Sequence, residues 1–169
     1  GDIQIGSKTQ IASCYALTHN LYNAANWPRL NKTEAKAFHV GIMKVFKVAA
    51  IAAMPKQAKG PGAQVVPHLS DNQILVFLGA SSPEELLRAT RLRYFRRLLL
   101  HGPQQLWAIL KANSAFTGSW LHLIREDLEW LWKLLPAGHP LPEPAGNYDV
   151  WAQKAADKGS SWGAWIKTA

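Results

Sequence analysis

Apolar side chains recur at helical spacing along most of this chain, and the stretches between them carry cap and turn chemistry. Ile11, Cys14, Tyr15, Leu17, Leu21 and Ala25 share one broad apolar face, which predicts a helix over 9–23 that ends before Trp27-Pro28. Asn31 as N-cap with Glu34 three positions on forms a capping box. Phe38, Ile42, Val45, Phe46 and Ala49 then continue the helical period. The proline- and glycine-rich stretch 54–69 reads as a loop. The run Ile74–Leu78 taken alone also fits a buried strand, but Ser70 with Gln73 is a capping pattern and Gly79 fits a C-cap, so a helix over 70–78 is expected.

Ser82, Pro83 and Glu85 start the next helix, which carries Leu86, Leu87, Leu92, Phe95, Leu98 and Leu99 and stops at His101-Gly102. Pro103 opens a helix to about Lys111 with Leu106, Trp107 and Leu110. Residues 113–118 are a turn, and a long helix follows over 119–135. The expected fold is therefore all-α: an irregular multi-helix domain over 7–135. Four prolines and two glycines in 136–147 predict a linker, placed at 136–148, with 149–169 as the start of a truncated second module. The chain reads as an excised piece of something longer.

Composition narrows the class. The 169 residues are 48% hydrophobic, too apolar for a disordered tail. One cysteine, Cys14, excludes an internal disulfide and a cysteine-rich zinc site. No apolar run reaches eighteen residues, so no transmembrane segment is expected, and 1–6 lacks the pattern of a signal peptide. An intracellular setting, nucleus or cytoplasm, is expected. Nineteen basic against eleven acidic side chains give a net charge of +8, which favours an anionic partner. The balance is +6 over 1–60, −2 over 61–90 and +4 over 91–169.

Five arginines stand out: Arg88, Arg91, Arg93, Arg96 and Arg97. Their forked guanidinium groups at helical spacing suit phosphates, provided they project together into solvent. The bland account is a solvated face paired with Glu84 and Glu85. Lys32, Lys36, Lys44 and Lys47, with Lys56 and Lys59 of the loop, form a second, weaker basic set, for which a solvated surface is the favoured account; Lys36, Lys44 and Lys47 are its candidate phosphate contacts. Trp107, Trp120 and Trp132 sit among leucines as core residues. Trp162 and Trp165 lie in a Gly/Ser context, where exposed base-stacking platforms and packing residues short of their partners are equally good accounts. Histidine spacing matches no zinc motif, and His39 reads as packed or hydrogen-bonded. Glu126, Asp127 and Glu129 read as a surface set, with Glu129 pairing Lys133 at i+4. No catalytic constellation, cofactor loop or metal site is present in the pattern.

The chain resembles the thumb and connecting segment downstream of the palm in reverse transcriptases of non-LTR retrotransposons. The matching positions are Leu21-Tyr22-Asn23-Ala24-Ala25-Asn26-Trp27, Asn31 with Glu34 and Phe38, the helix around 42–46, and the basic helix 86–99 followed by His101-Gly102-Pro103 and Leu106-Trp107. Asn23 stands where the family has Gly, and no aromatic-x-Asp-Asp motif or zinc knuckle occurs. The resemblance implies a non-catalytic segment that holds template–primer duplex or element RNA by its phosphates, beside flanking polymerase domains. The partner it implies is RNA or DNA, held through phosphates. The rival expectation is a helical interaction or assembly subunit of a ribonucleoprotein or organelle complex, with the tryptophan-rich seams as partner interfaces.

Overall fold

The structure is a computed structural model and describes residues 21, 23–53 and 69–168. It is all-α. A short 3-10 turn, Ala24–Asn26, precedes α1 (Lys32–Ala53), α2 (Asp71–Leu78), α3 (Pro83–His101), α4 (Gln104–Ala112), α5 (Trp120–Leu134), α6 (Tyr148–Ala156) and α7 (Trp162–Thr168). No strand occurs among the described residues. The expected helix over 9–23 and the loop over 54–69 fall almost entirely outside those residues. The chain divides into two compact units, one of 1–22 and 32–84, the other of 23–31 and 85–169.

In the first unit, α1 buries Ile42, Met43, Phe46, Ala49, Ala50 and Ala53 along one stripe. α2 packs on α1 and buries Ile74. The ends of α2 are set by the chemistry read from the sequence. The Ser70 hydroxyl accepts from the Gln73 N–H at 3.3 Å, and the Ser70 N–H donates to Gln73 Oε1 at 2.8 Å. Gly79 closes the helix in the left-handed region, φ 59°, with its N–H returned to Leu75 and Val76 carbonyls. A strand is excluded for 74–78.

In the second unit, the core gathers Leu92 and Phe95 of α3, Ile124, Leu128 and Leu131 of α5, and Trp151, Ala155, Trp162 and Ile166 of α6 and α7. The separation expected after residue 135 is therefore corrected. Residues 136–148 are an ordered strap: Pro144 is fully buried, and the Pro142 carbonyl accepts from Trp151 Nε1 at 2.9 Å. Of the stretch expected as a second module, Trp151, Ala155, Trp162 and Ile166 belong to the same core. Apolar area decides this, since each fully buried large side chain contributes about 1.5–3 kcal/mol, and Trp151 and Trp162 are among the largest in the interior.

Tryptophan indole N–H groups are satisfied by backbone carbonyls: Trp107 by Leu98 at 3.3 Å, Trp120 by Ala25 at 2.6 Å and Trp162 by Leu92 at 3.4 Å. The last of these rules out Trp162 as a stacking platform. Trp165 is half-buried, with its ring edge-on to His139 at 4.6 Å.

The α3–α4 corner needs glycine. A Cβ on Gly102 would stand 2.5 Å from the Leu98 carbonyl oxygen and 3.2 Å from Trp107 Nε1. Gly102→Ala is expected to cost about 1–3 kcal/mol by overpacking. Gly163→Ala, on α7 with open space around it, is expected to leave stability unchanged or raise it slightly. Urea denaturation of the two variants measures the contrast.

Candidate functional site

The five arginines of α3 do not form one stripe. A helix turns about 100° per residue, so Arg93 has moved about 140° around the axis from Arg88. Arg88 and Arg91 face inward, toward α5. Arg91 is buried and grips Asp127 with two prongs, Nε to Oδ2 at 2.6 Å and Nη2 to Oδ1 at 2.8 Å. Arg88 adds Nη1 to Oδ1 at 3.4 Å and lies 5.8 Å over the Trp130 ring. Arg96 donates to the Asp157 carbonyl at 3.2 Å. Arg93 and Arg97 remain exposed, one turn apart, with no ion-pair partner among the described residues.

Asp127 is the residue the sequence reading misplaced. It is fully buried, between Ile124, Leu128 and Leu131 on the inner stripe of α5. Burial pushes its carboxyl upward, while the Arg91 fork, and then Arg88, pull it back. Its neighbours point elsewhere. Glu126 pairs with Arg29 and lies 3.3 Å from His122 Nε2, and Glu129 accepts the Tyr148 hydroxyl at 2.8 Å. The expected Glu129–Lys133 pair does not form. The signal was in the spacing: 124, 127, 128 and 131 are one helical stripe, and its polar member meets whatever faces it on α3.

The lysines of α1 divide in a similar way. Lys47 Nζ lies 3.1 Å from Asp71 Oδ1, and His39 Nε2 lies 2.9 Å from Asp71 Oδ2. Asp71 thus ties the start of α2 to two turns of α1, and His39 is hydrogen-bonded as expected. Lys36 and Lys44 are exposed, with no ion-pair partner among the described residues. They alternate with apolar side chains. Lys36, Val40, Lys44 and Val48 follow at steps of four, and Ile51 extends the row. Val40, Val48 and Ile51 are 42%, 67% and 53% exposed. This face lies opposite the buried stripe of Ile42, Phe46, Ala49 and Ala53.

No protein family, curated protein or solved structure matches this chain. Its chemistry rests on its own geometry. Among the described residues no group of three His, Cys, Asp or Glu side chains is placed to hold a metal, and no helix is long and apolar enough to cross a membrane.

The His39 and Lys47 contacts hold the Asp71 carboxyl below its ordinary 3.8. The folded protein therefore binds fewer protons than the unfolded chain between that value and the folded one. The stabilisation is complete above 3.8 and disappears as pH falls through the lower value. All three groups are solvent-exposed, so Asp71→Asn is expected to lower stability by about 0.5 kcal/mol or less at pH 7. That difference should vanish in acid, as read by paired denaturation curves across pH 2–7.

Proposed function

We propose that this chain is a non-catalytic helical interaction module, and that the outer face of α1 docks an acidic amphipathic helix of a partner protein. The row of Lys36, Val40, Lys44, Val48 and Ile51 carries this reading. Single exposed apolar residues are ordinary on a protein surface, but a row of them on one helix face marks a contact surface. A partner helix with apolar residues at i and i+4 would meet the valines and Ile51. Carboxylates flanking that apolar row would meet Lys36 and Lys44, so charge sets the class of partner. Assembly within a ribonucleoprotein or organelle complex is one setting for such a module.

A second reading is polynucleotide contact through Arg93 and Arg97. It is favoured by their exposure one turn apart, in a unit with twelve basic against seven acidic side chains. In the reverse-transcriptase-like setting, this pair would touch template–primer phosphates beside polymerase domains. Two phosphate contacts give a salt slope of about −1.8, where the full set of five would give about −4.5.

Fluorescence anisotropy of the full chain against two labelled probes separates the readings. The probes are a synthetic helix with leucine at i and i+4 flanked by glutamate, and a 20-base-pair duplex. The docking reading expects saturable peptide binding, weakened at least about tenfold by the Lys36→Glu/Lys44→Glu variant. It is overturned if the peptide does not bind, or binds the variant equally well. Duplex binding that survives that variant and is lost on Arg93→Glu/Arg97→Glu would move the function to the second reading.

A further inference from the structure

A cleft of about 380 Å³ opens among α3, α4, α5 and α6, its lining residues all within the second unit. That volume falls within the range of small-molecule sites, about 300–1,000 Å³, which occur between the helices of bundles. Each helix contributes a stripe at helical spacing: Phe95 and Leu99, Trp107 and Lys111, Leu121 to Leu128, and Tyr148 to Ala152. The lining is mostly aromatic and aliphatic. Its cations are Lys111 and Arg125, against Asp149 as the carboxylate among the described lining residues.

The walls are held from behind. The Gly102 corner turns α4 back on α3, and Trp107 is fixed by its bond to the Leu98 carbonyl and by an edge-on contact with Phe95 at 6.3 Å. On the opposite side Glu129 accepts the Tyr148 hydroxyl, and Arg125 lies 5.1 Å over the Tyr148 ring. Burial and the Glu129 bond both raise the Tyr148 phenol, so it stays a neutral donor. Neither Lys111 nor Arg125 has an ion-pair partner among the described residues.

We infer that this cleft binds a small amphipathic anion, a medium-chain or aromatic carboxylate. The apolar body lies against Phe95, Leu99, Trp107 and Leu128, and the carboxylate meets Lys111 and Arg125. A neutral molecule would leave Lys111 and Arg125 without a counter-charge, Arg125 having only the Tyr148 ring beneath it, and a cation would face these two charges against the one carboxylate of Asp149. The site is separate from the α1 face and from Arg93 and Arg97, so it stands whichever partner the module takes.

Calorimetric titration of the full chain with decanoate and with decanol tests this. Displacement of 8-anilino-1-naphthalenesulfonate serves as a second readout. The expected result is one saturable site for decanoate, at least tenfold tighter than for decanol. Lys111→Ala/Arg125→Gln should weaken decanoate at least tenfold and decanol by much less, since only the anion's head group meets the two cations. Ala152→Phe, which fills the cleft, should abolish binding of both. Because Lys111 is exposed, Lys111→Ala alone keeps the test sound if the filled variant fails to fold. The inference is overturned if decanoate does not bind saturably, if decanol binds as tightly, or if decanoate binds the charge variants undiminished.

Discussion

Asp127 stands in the interior of the second unit with no exposed surface, held by both prongs of Arg91 and by one nitrogen of Arg88. A carboxylate taken out of water is costly to hold, and only a close, hydrogen-bonded counter-charge offsets that cost. The pair therefore fixes the rotation of α3 against α5. With Arg91 turned inward, Leu92 and Phe95 join the buried cluster on the same side of the helix. Arg93 and Arg97 are left on the solvent side by the same rotation. The interior and the surface charge of this unit are two consequences of one contact.

That contact also redistributes what the sequence suggests about binding. A run rich in arginine looks like a phosphate ladder when only its composition is considered. Folded, it is two inward guanidiniums serving the core, one tied to a backbone carbonyl, and two facing water. The first unit repeats the lesson with lysine. Asp71 takes Lys47, while Lys36 and Lys44 stay exposed beside Val40 and Val48. Among the described residues basic charge is thus more dispersed than the arginine run suggests, and the exposed face of α1 is mixed cationic and apolar.

Much of the fold is legible in the sequence because its signals are local. Ser70 with Gln73, Gly79, Pro83, Gly102 and Ser119 each set an end within a few residues of themselves, and the helices start and stop there. What was not legible depends on partners distant in sequence. The prolines of 136–148 suggest a linker, yet Pro144 is buried and Pro142 receives an indole N–H. Trp162 sits among glycine and serine, and only α3, some seventy residues earlier, makes it a core residue. The cleft among α3–α6 is likewise invisible until four helical stripes converge. Asp127 lies in between: its stripe is readable in the sequence, but its two partners, Arg88 and Arg91, sit in a run whose composition suggests a solvent-facing set.

A double-mutant cycle on Arg91 and Asp127, read by urea denaturation, bears most directly on this account. Asp127→Ala and Arg91→Ala should each cost about 3–5 kcal/mol, because the first leaves the buried Arg91 guanidinium without its carboxylate and the second leaves Asp127 with only the 3.4 Å contact to Arg88. The double variant should cost no more than the worse single one. Single losses within about 0.5 kcal/mol of zero, or losses that simply add, would contradict it, since they would mean the two side chains do not hold α3 and α5 together.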